Sequence, residues 1–320
     1  MDAVIDYVSP YSRFGKPGYI LEVLRLPLCI MGSIAGFTVG FIIIHMAEPD
    51  KTFFQLLEKY FWQLVLGIWI PFFMVGAAQA INDVYDLDSD RKNQRYDRPL
   101  VRGDLDPVFV KWFSTALLLS GPILAGVLFG PVVLIVSFFF AGLAFWYSAA
   151  GLKRSGILGN VAVSSGYTAA MVLAAIAIEA RYPGQLSQEL VLTIIVLIAI
   201  TFFGALGREF MKGIMDIEGD RTAGVKTVAV VYGPRAAANL AIIFFLLTLG
   251  FIPVPLFLSF RNSLAYAGLM FFMVFFLVYT VFLLTKSPTA ETVKKTRFLT
   301  RYAFYVGSAA FLAGGFFISA

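Results

Sequence analysis

An all-α, polytopic membrane fold with about nine transmembrane helices is what this sequence predicts, and three observations predict it. The first is composition. Of 320 residues, 59% are hydrophobic and 14% are charged, against ~45–50% and ~25% in a soluble domain. Mean hydropathy is +0.81, and there is too little polar surface to coat a water-facing body. The second is segmentation: the apolar residues fall into runs near the ~20 residues that a helix needs to cross the hydrocarbon core. The third is the placement of the 25 Lys and Arg residues, which crowd into alternate connections between the runs, as the positive-inside rule requires.

The spans are expected at roughly Leu24–Met46, Phe61–Tyr85, Trp112–Phe129, Pro131–Ala149, Ile157–Ile178, Leu190–Met211, Ala236–Leu258, Ser263–Thr285 and Tyr302–Ile318. The third and fourth form one run of nearly double span length, and Gly130-Pro131 is its natural hairpin break. Residues 1–320 are expected to form a single transmembrane domain. The first twenty residues hold Asp2, Asp6, Arg13 and Lys16 and no apolar stretch, so no cleavable signal peptide is expected. With the N-terminus in the cytoplasm, 21 of the Lys and Arg residues face that side and only Lys51, Lys59, Arg181 and Arg261 the other. The expected topology is N-in and C-out in the cell membrane.

Composition also excludes. A single cysteine, Cys29, forms no intrachain disulfide, and with a single histidine, His45, it leaves no Cys/His zinc site and little room for a histidine triad. Disorder needs low hydrophobicity and high charge. The net charge of +5 reads as topology and an anionic substrate. No nucleic acid and no protein partner is implied.

The second and sixth spans each run into an acidic cluster on the cytoplasmic side. The first is Asn82-Asp83-Val84-Tyr85-Asp86-Leu87-Asp88-Ser89-Asp90. On a continuing helix Asn82, Asp86 and Asp90 share one face, about 6 Å apart per step. Like charges at that spacing repel unless a cation lies between them. The second is Asp216-Ile217-Glu218-Gly219-Asp220. Arg208, Lys212, Asp216 and Asp220 make one ladder at four-residue spacing, while Glu218 points away. Each cluster alone reads as well as a solvated helix end or a row of intrahelical salt bridges. Two of them on one membrane face, each continuing an apolar span, favour function, because charge near a bilayer is costly.

Oxygen-only donors suit Mg²⁺ or Mn²⁺. Such ions take one or two carboxylates each and complete their shells with water and substrate phosphates. Two clusters can thus hold two ions across a diphosphate and offset the charge that develops as it leaves. Asn82, Asp83, Asp86, Asp90, Asp216 and Asp220 are the expected metal ligands. Arg25, Arg98, Arg102, Lys153, Arg154, Arg208 and Lys212 are the expected diphosphate-binding cations, with Arg221 and Lys226 nearby, although each is also explained as a positive-inside residue. An apolar interior suits a long hydrocarbon tail. In the fifth span Asn160, Ser164 and Thr168 repeat every four residues beside Tyr167. That stripe reads either as helix packing or as a cavity wall formed by Asn160, Ser164 and Tyr167.

These residues resemble the UbiA superfamily of intramembrane prenyltransferases. Asn82, Asp83, Asp86 and Asp90 match the family's N-D-x-x-D-x-x-x-D pattern. Tyr96-Asp97-Arg98-Pro99-Leu100-Val101-Arg102-Gly103 is similar to its N-R-P-L/I-x-S-G segment and departs from it at Asp97 and Arg102. Tyr147-Ser148 followed by Leu152-Lys153-Arg154, Gly159-Asn160, Asp216-x-Glu218-Gly219-Asp220-Arg221, Gly224-x-Lys226-Thr227 and Tyr232-Gly233 resemble further family segments. The resemblance implies nine helices around a central cavity, with both acidic motifs facing each other at its cytoplasmic mouth. It implies Mg²⁺-dependent transfer of a prenyl group from a prenyl diphosphate to a hydrophobic acceptor, with Asp86, Asp90, Asp216, Asp220 and Tyr147 as catalytic residues. Arg208-Glu209-Phe210-x-Lys212 is most similar to archaeal ether-lipid members, which alkylate a prenylated glycerol phosphate with a geranylgeranyl group. Aromatic acceptors of quinone or chlorophyll pathways are the alternative. A cation-coupled transporter is the alternative of another class, but its charges usually sit at mid-membrane on broken helices. A soluble helical prenyl diphosphate synthase fails on composition, since soluble helices need a polar face.

Overall fold

Hydrocarbon offers no partner to a free backbone amide or carbonyl, so apolar runs of this length fold as helices. The computed structural model describes residues 9–92, 94–149, 151–184, 186–222 and 224–316. Among these every regular element is helical, and nine helices are long: α1 (Leu26–Ala47), α2 (Phe61–Tyr85), α3 (Pro107–Phe129), α4 (Pro131–Ala149), α5 (Ile157–Arg181), α6 (Gln188–Met215), α7 (Val228–Phe251), α8 (Leu264–Lys286) and α9 (Ala290–Phe316). The first eight are long and apolar enough to cross a membrane, which makes this a multi-pass membrane protein. The ninth differs from expectation. Its first half carries Glu291, Lys294, Lys295, Arg297 and Arg301 and is helical all the same.

Helix caps move several boundaries outward. The Asp106 side chain accepts from the Phe109 amide, and Pro107 sits in the first turn, so α3 starts before Lys111 rather than at Trp112. Ser187 caps α6 through the Leu190 amide, and the helix runs on to Met215. Thr227 caps α7, which begins eight residues earlier than its apolar run and bends at Gly233, φ 86°. Inside α2, Pro71 cannot donate to the Gly67 carbonyl. On the adjoining turn the Ser33 hydroxyl of α1 donates to the Ile68 carbonyl at 2.8 Å, so a neighbouring helix supplies hydrogen bonding where the proline interrupts the ladder.

The helices form two groups, α1–α5 and α6–α9. Contacts of α5 with α6 and of α1 with α9 close them into a ring. The largest apolar cluster unites α1 with α6–α9 through Phe41, Ile42, Leu206, Phe245, Met273 and Phe311. A second joins α2–α5 through Met74, Leu118, Val133 and Leu173. The α1–α9 contact depends on absent side chains: a Cβ on Gly315 would stand 2.4 Å from Ile42, a close approach typical of membrane helices. Many aromatic residues point outward, Phe139, Phe271 and Phe275 among them, which is where lipid contacts a protein of this composition.

Candidate active site

Three spans lie between α2 and α6, so both helices run in the same direction and their C-terminal ends share a face. Each ends at an aspartate, Asp86 or Asp216, and the hydrogen-bond ladder carries on through it. The Asp86 amide donates to the Asn82 carbonyl at 2.9 Å and Asp90 to Asp86 at 2.8 Å; Asp216 donates to Lys212 at 3.3 Å and Asp220 to Asp216 at 2.8 Å. The one-face expectation for both clusters therefore stands. Both then close in the same way, with Arg95 donating to the Asp90 carbonyl at 3.0 Å and Val225 to Asp220 at 2.8 Å. A left-handed residue allows each closure, Gln94 at φ 52° and Gly224 at φ 70°. Every position in the second copy lies 130 after its counterpart, so the chain builds one carboxylate-bearing turn twice.

The two copies face each other. Tyr147, at the end of α4, lies within electrostatic reach of Asp86 on one side and of Glu209 and Asp220 on the other, with Tyr167 beside it. Asp216 feels Arg95 from the first loop. Lys153 donates to Asp86, and the Ser148 hydroxyl reaches Asn82 Oδ1 at 3.3 Å. The α4–α5 connection also grips the second loop. The Lys226 amide donates to the Arg154 carbonyl at 3.4 Å. Gly156, at φ 60°, leaves room where a Cβ would meet the Lys226 carbonyl oxygen at 2.6 Å.

Several expected site residues have other partners. Asp83, expected among the metal ligands, is about 100° around the helix from Asn82 and only 2% exposed. It holds Arg25 at 2.5 Å and Arg98 at 3.5 Å. Arg25, expected on the diphosphate, also donates to Gln79 at 2.5 Å and adopts a left-handed conformation, φ 54°, a strained state that its partners sustain. Arg102 pairs with Glu22 at 2.8 Å and Asp104 at 2.6 Å and donates to the Tyr96 carbonyl. Lys212 does not pair with Asp216 along the ladder; its ammonium bonds both oxygens of Glu209, at 3.0 and 2.8 Å. Glu218 is exposed and pairs loosely with Arg221. Arg154 is exposed. Arg208 is half-buried, its guanidinium 5.9 Å from the Phe304 ring and its Nε buried with no hydrogen-bond partner.

On α5, the Ser164 hydroxyl donates to the Asn160 carbonyl at 2.8 Å and Thr168 to Ser165 at 2.9 Å. Both side chains are buried, so the packing reading holds for them. Asn160 and Tyr167 are half-buried, and Tyr167 lies 6.3 Å from Phe304 between ring centres. One narrow apolar cavity of about 50 Å³ lies at the opposite end of α1, α2 and α5, lined by Gly36, Gly40, Gly67, Ala170 and Ala174. At that size it does not hold an isoprenoid tail, whose sites run to ~300 Å³ and more.

The chemistry of the donors fits a divalent cation. Burial holds the Asp90 carboxyl above the usual carboxylate range. Burial, reinforced by the charge of Asp216, pushes Asp220 up to about 6. Among the described residues neither carboxylate, nor Asp216, has an ion-pair partner. No three carboxylates among them are close enough to cage an ion. That arrangement suits Mg²⁺ held by one or two carboxylates and completed by substrate phosphates. Glu209 escaped the sequence reading of site residues. Its signal was an acidic residue inside the last two turns of a span, which is rare without a function.

Solved proteins share this architecture. One structure, from work on digeranylgeranylglyceryl phosphate synthase in membranes, has a TM-score of 0.71 at 24% identity and covers 94% of this chain and 99% of its own. A UbiA homolog from Archaeoglobus fulgidus bound to DMAPP and Mg²⁺ has a TM-score of 0.62 at 17% identity, covering 91% of this chain and 98% of its own. Among sequence relatives, the digeranylgeranylglyceryl phosphate synthase of Archaeoglobus fulgidus is 33% identical over 93% of this chain and 95% of its own length. That of Thermococcus kodakarensis is 28% identical over 91% and 96%. Fold, site and relatives together define a membrane prenyltransferase. The sequence model of the UbiA prenyltransferase family matches residues 35–307, and the chain belongs to that family.

Proposed function

We propose that the protein transfers a geranylgeranyl group from its diphosphate to the free hydroxyl of geranylgeranylglyceryl phosphate, forming the second ether of an archaeal-type lipid. The observation that carries the prenyl-transfer site is the pair of facing carboxylate turns, in which Asp90, Asp216 and Asp220 have no ion-pair partner among the described residues. The acceptor follows from the relatives' names and from Arg208, whose partnerless Nε suits a second phosphate.

Asn82, Asp86 and Asp90 on one side, and Asp216 and Asp220 on the other, would hold Mg²⁺, two ions by count of clusters, with Mn²⁺ as a substitute. The metal supplies charge neutralisation to the departing diphosphate. Lys153, hydrogen-bonded to Asp86, orients that carboxylate and adds positive charge at the leaving oxygens. Arg208 and Lys212 extend the positive surface toward the acceptor phosphate. Tyr147 and Tyr167 wall the space where the allylic carbon turns cationic and exclude water, so that the acceptor rather than water captures it. Arg25, Arg98 and Asp83 brace the wall behind the first cluster. The site opens to the cytoplasm if the basic loops follow the positive-inside rule.

The test uses purified protein in detergent with radiolabelled geranylgeranyl diphosphate and Mg²⁺. Parallel tubes contain geranylgeranylglyceryl phosphate or 4-hydroxybenzoate, each with an EDTA control. EDTA-sensitive ether product with the glyceryl phosphate supports the proposal. Product with the aromatic acid alone refutes the acceptor, and no metal-dependent product in either tube refutes prenyl transfer.

A further inference from the structure

We propose that Glu209 takes the proton that the acceptor hydroxyl loses on alkylation. This inference rests on the hydroxyl acceptor proposed above. In the step, the acceptor oxygen forms its bond to C1 of the prenyl group as the C1–O bond to diphosphate breaks. The diphosphate leaves with the electron pair of the broken bond. The hydroxyl proton passes to a Glu209 carboxylate oxygen, and the ether is neutral.

Position comes first. Glu209 precedes Asp216 by seven residues, which places it about 10 Å deeper along α6 than the mouth. It is buried at 9% exposure. A carboxylate there is expensive, and the neutral packing of a span has no use for it. The groups around it belong to the reaction space: Tyr147 from α4, Lys212 from its own helix and Asp216 above, with Tyr167 of α5 and Arg208 next to the Lys212 ammonium.

Chemistry comes second. Lys212 bonds both Glu209 oxygens and so offsets the cost of burial. A carboxylate accepts about four hydrogen bonds, so each oxygen keeps a lone pair. An alcohol oxygen that has bonded to carbon is an oxonium, acidic enough to protonate a carboxylate. The other carboxylates nearby are committed. Asp83 is locked by Arg25 and Arg98, Asp86 accepts from Lys153, and Asp216 and Asp220 sit at the diphosphate end.

The experiment compares wild type, Glu209→Gln and Glu209→Asp in detergent with Mg²⁺, the labelled donor and geranylgeranylglyceryl phosphate. It reads ether product, free prenyl alcohol and donor affinity separately. For Glu209→Gln the expected result is a fall in ether formation of ~100-fold or more. Donor affinity should stay within about twofold of wild type, and the donor that still reacts should emerge as prenyl alcohol. Glu209→Asp should recover part of the ether product. Ether formation near the wild-type rate in Glu209→Gln would overturn the inference and leave the proton to the departing diphosphate. Equal loss of ether, alcohol and donor binding would overturn it too, by reducing Glu209 to a brace for Lys212. If an unpaired Lys212 prevents Glu209→Gln from folding, the double variant Glu209→Gln/Lys212→Gln, which carries no buried ammonium, is compared with Lys212→Gln alone at saturating acceptor: a further fall in the ratio of ether to alcohol supports the inference, and an equal ratio overturns it. Failure of the acceptor reading is visible in wild type alone, as product with 4-hydroxybenzoate and none with the glyceryl phosphate.

Discussion

Replacing Asp83 by alanine separates an architectural carboxylate from a metal ligand. Asp83 sits in the middle of a metal-ligand-like motif, yet it is 2% exposed and holds two guanidiniums, Arg25 at 2.5 Å and Arg98 at 3.5 Å. Removing one partner of a buried ion pair costs about 3–5 kcal/mol, because the partner's charge is left uncompensated. Here two charges lose their partner. Arg98 has a second carboxylate at 3.7 Å, Asp97, whereas among the described residues the remaining hydrogen-bond partner of Arg25 is the neutral Gln79, with Asp90 acting on it from farther off. The loss should therefore come mainly from Arg25 and fall in that range. The assay is thermal unfolding of purified protein in one detergent, with EDTA and with Mg²⁺. Asp83→Ala is expected to lower stability by about 3–5 kcal/mol in both conditions. Asp83→Leu/Arg25→Met, which removes the pair together, should recover much of it. An Asp83→Ala protein that melts like wild type in EDTA and loses only its gain from Mg²⁺ would refute this reasoning and return Asp83 to the metal.

Asp86→Ala and Asp220→Ala should each reduce transfer by at least ~10²-fold while leaving the circular dichroism spectrum of wild type, as read by a labelled-donor assay. Gly156→Ala should destabilise by about 1–3 kcal/mol and raise KM for the donor, because its Cβ would strike the Lys226 carbonyl at 2.6 Å and push the second loop away; unchanged melting and KM would contradict this. The metal-free protein should lose stability as pH rises. Asp220 titrates at about 6 in the folded chain against 3.8 ordinarily, so its contribution is complete below about 3.8 and vanishes as pH passes about 6. Melting in EDTA across that window, flatter in Asp220→Asn, checks the sign.

Helices were legible because apolar length alone decides them. Phe61–Tyr85 and Pro131–Ala149 have the bounds that hydropathy gives, whereas α3, α6, α7 and α9 start or end beyond their apolar runs. Their extra turns are polar helix, which hydropathy does not register. Lys111 and the charged first half of α9 are examples. The shared face of Asn82, Asp86 and Asp90 was also legible, since four-residue spacing survives the small irregularity at Asp86. Choice of partner was not. Asp83 reads as one more motif carboxylate until Arg25, 58 positions away, is seen to claim it. Arg102 likewise looks like a free cation until Glu22 arrives from before α1. The Lys212 pair went to Glu209 instead of Asp216 because a three-residue step on α6 keeps both groups inside the bundle. Sequence spacing ranks both steps alike.

The central claim is that the two carboxylate turns grip one diphosphate through divalent metal. Its most direct test is equilibrium binding of a non-hydrolysable prenyl diphosphate to purified protein, with Mg²⁺ and with EDTA. Wild type would be measured beside Asp86→Ala, Asp220→Ala and the double variant. Binding should require Mg²⁺, either single substitution should remove most of it, and the double variant should be little worse than either, because both turns serve the same ligand. Binding that is unchanged by EDTA, or that survives the loss of one turn intact, would contradict the account.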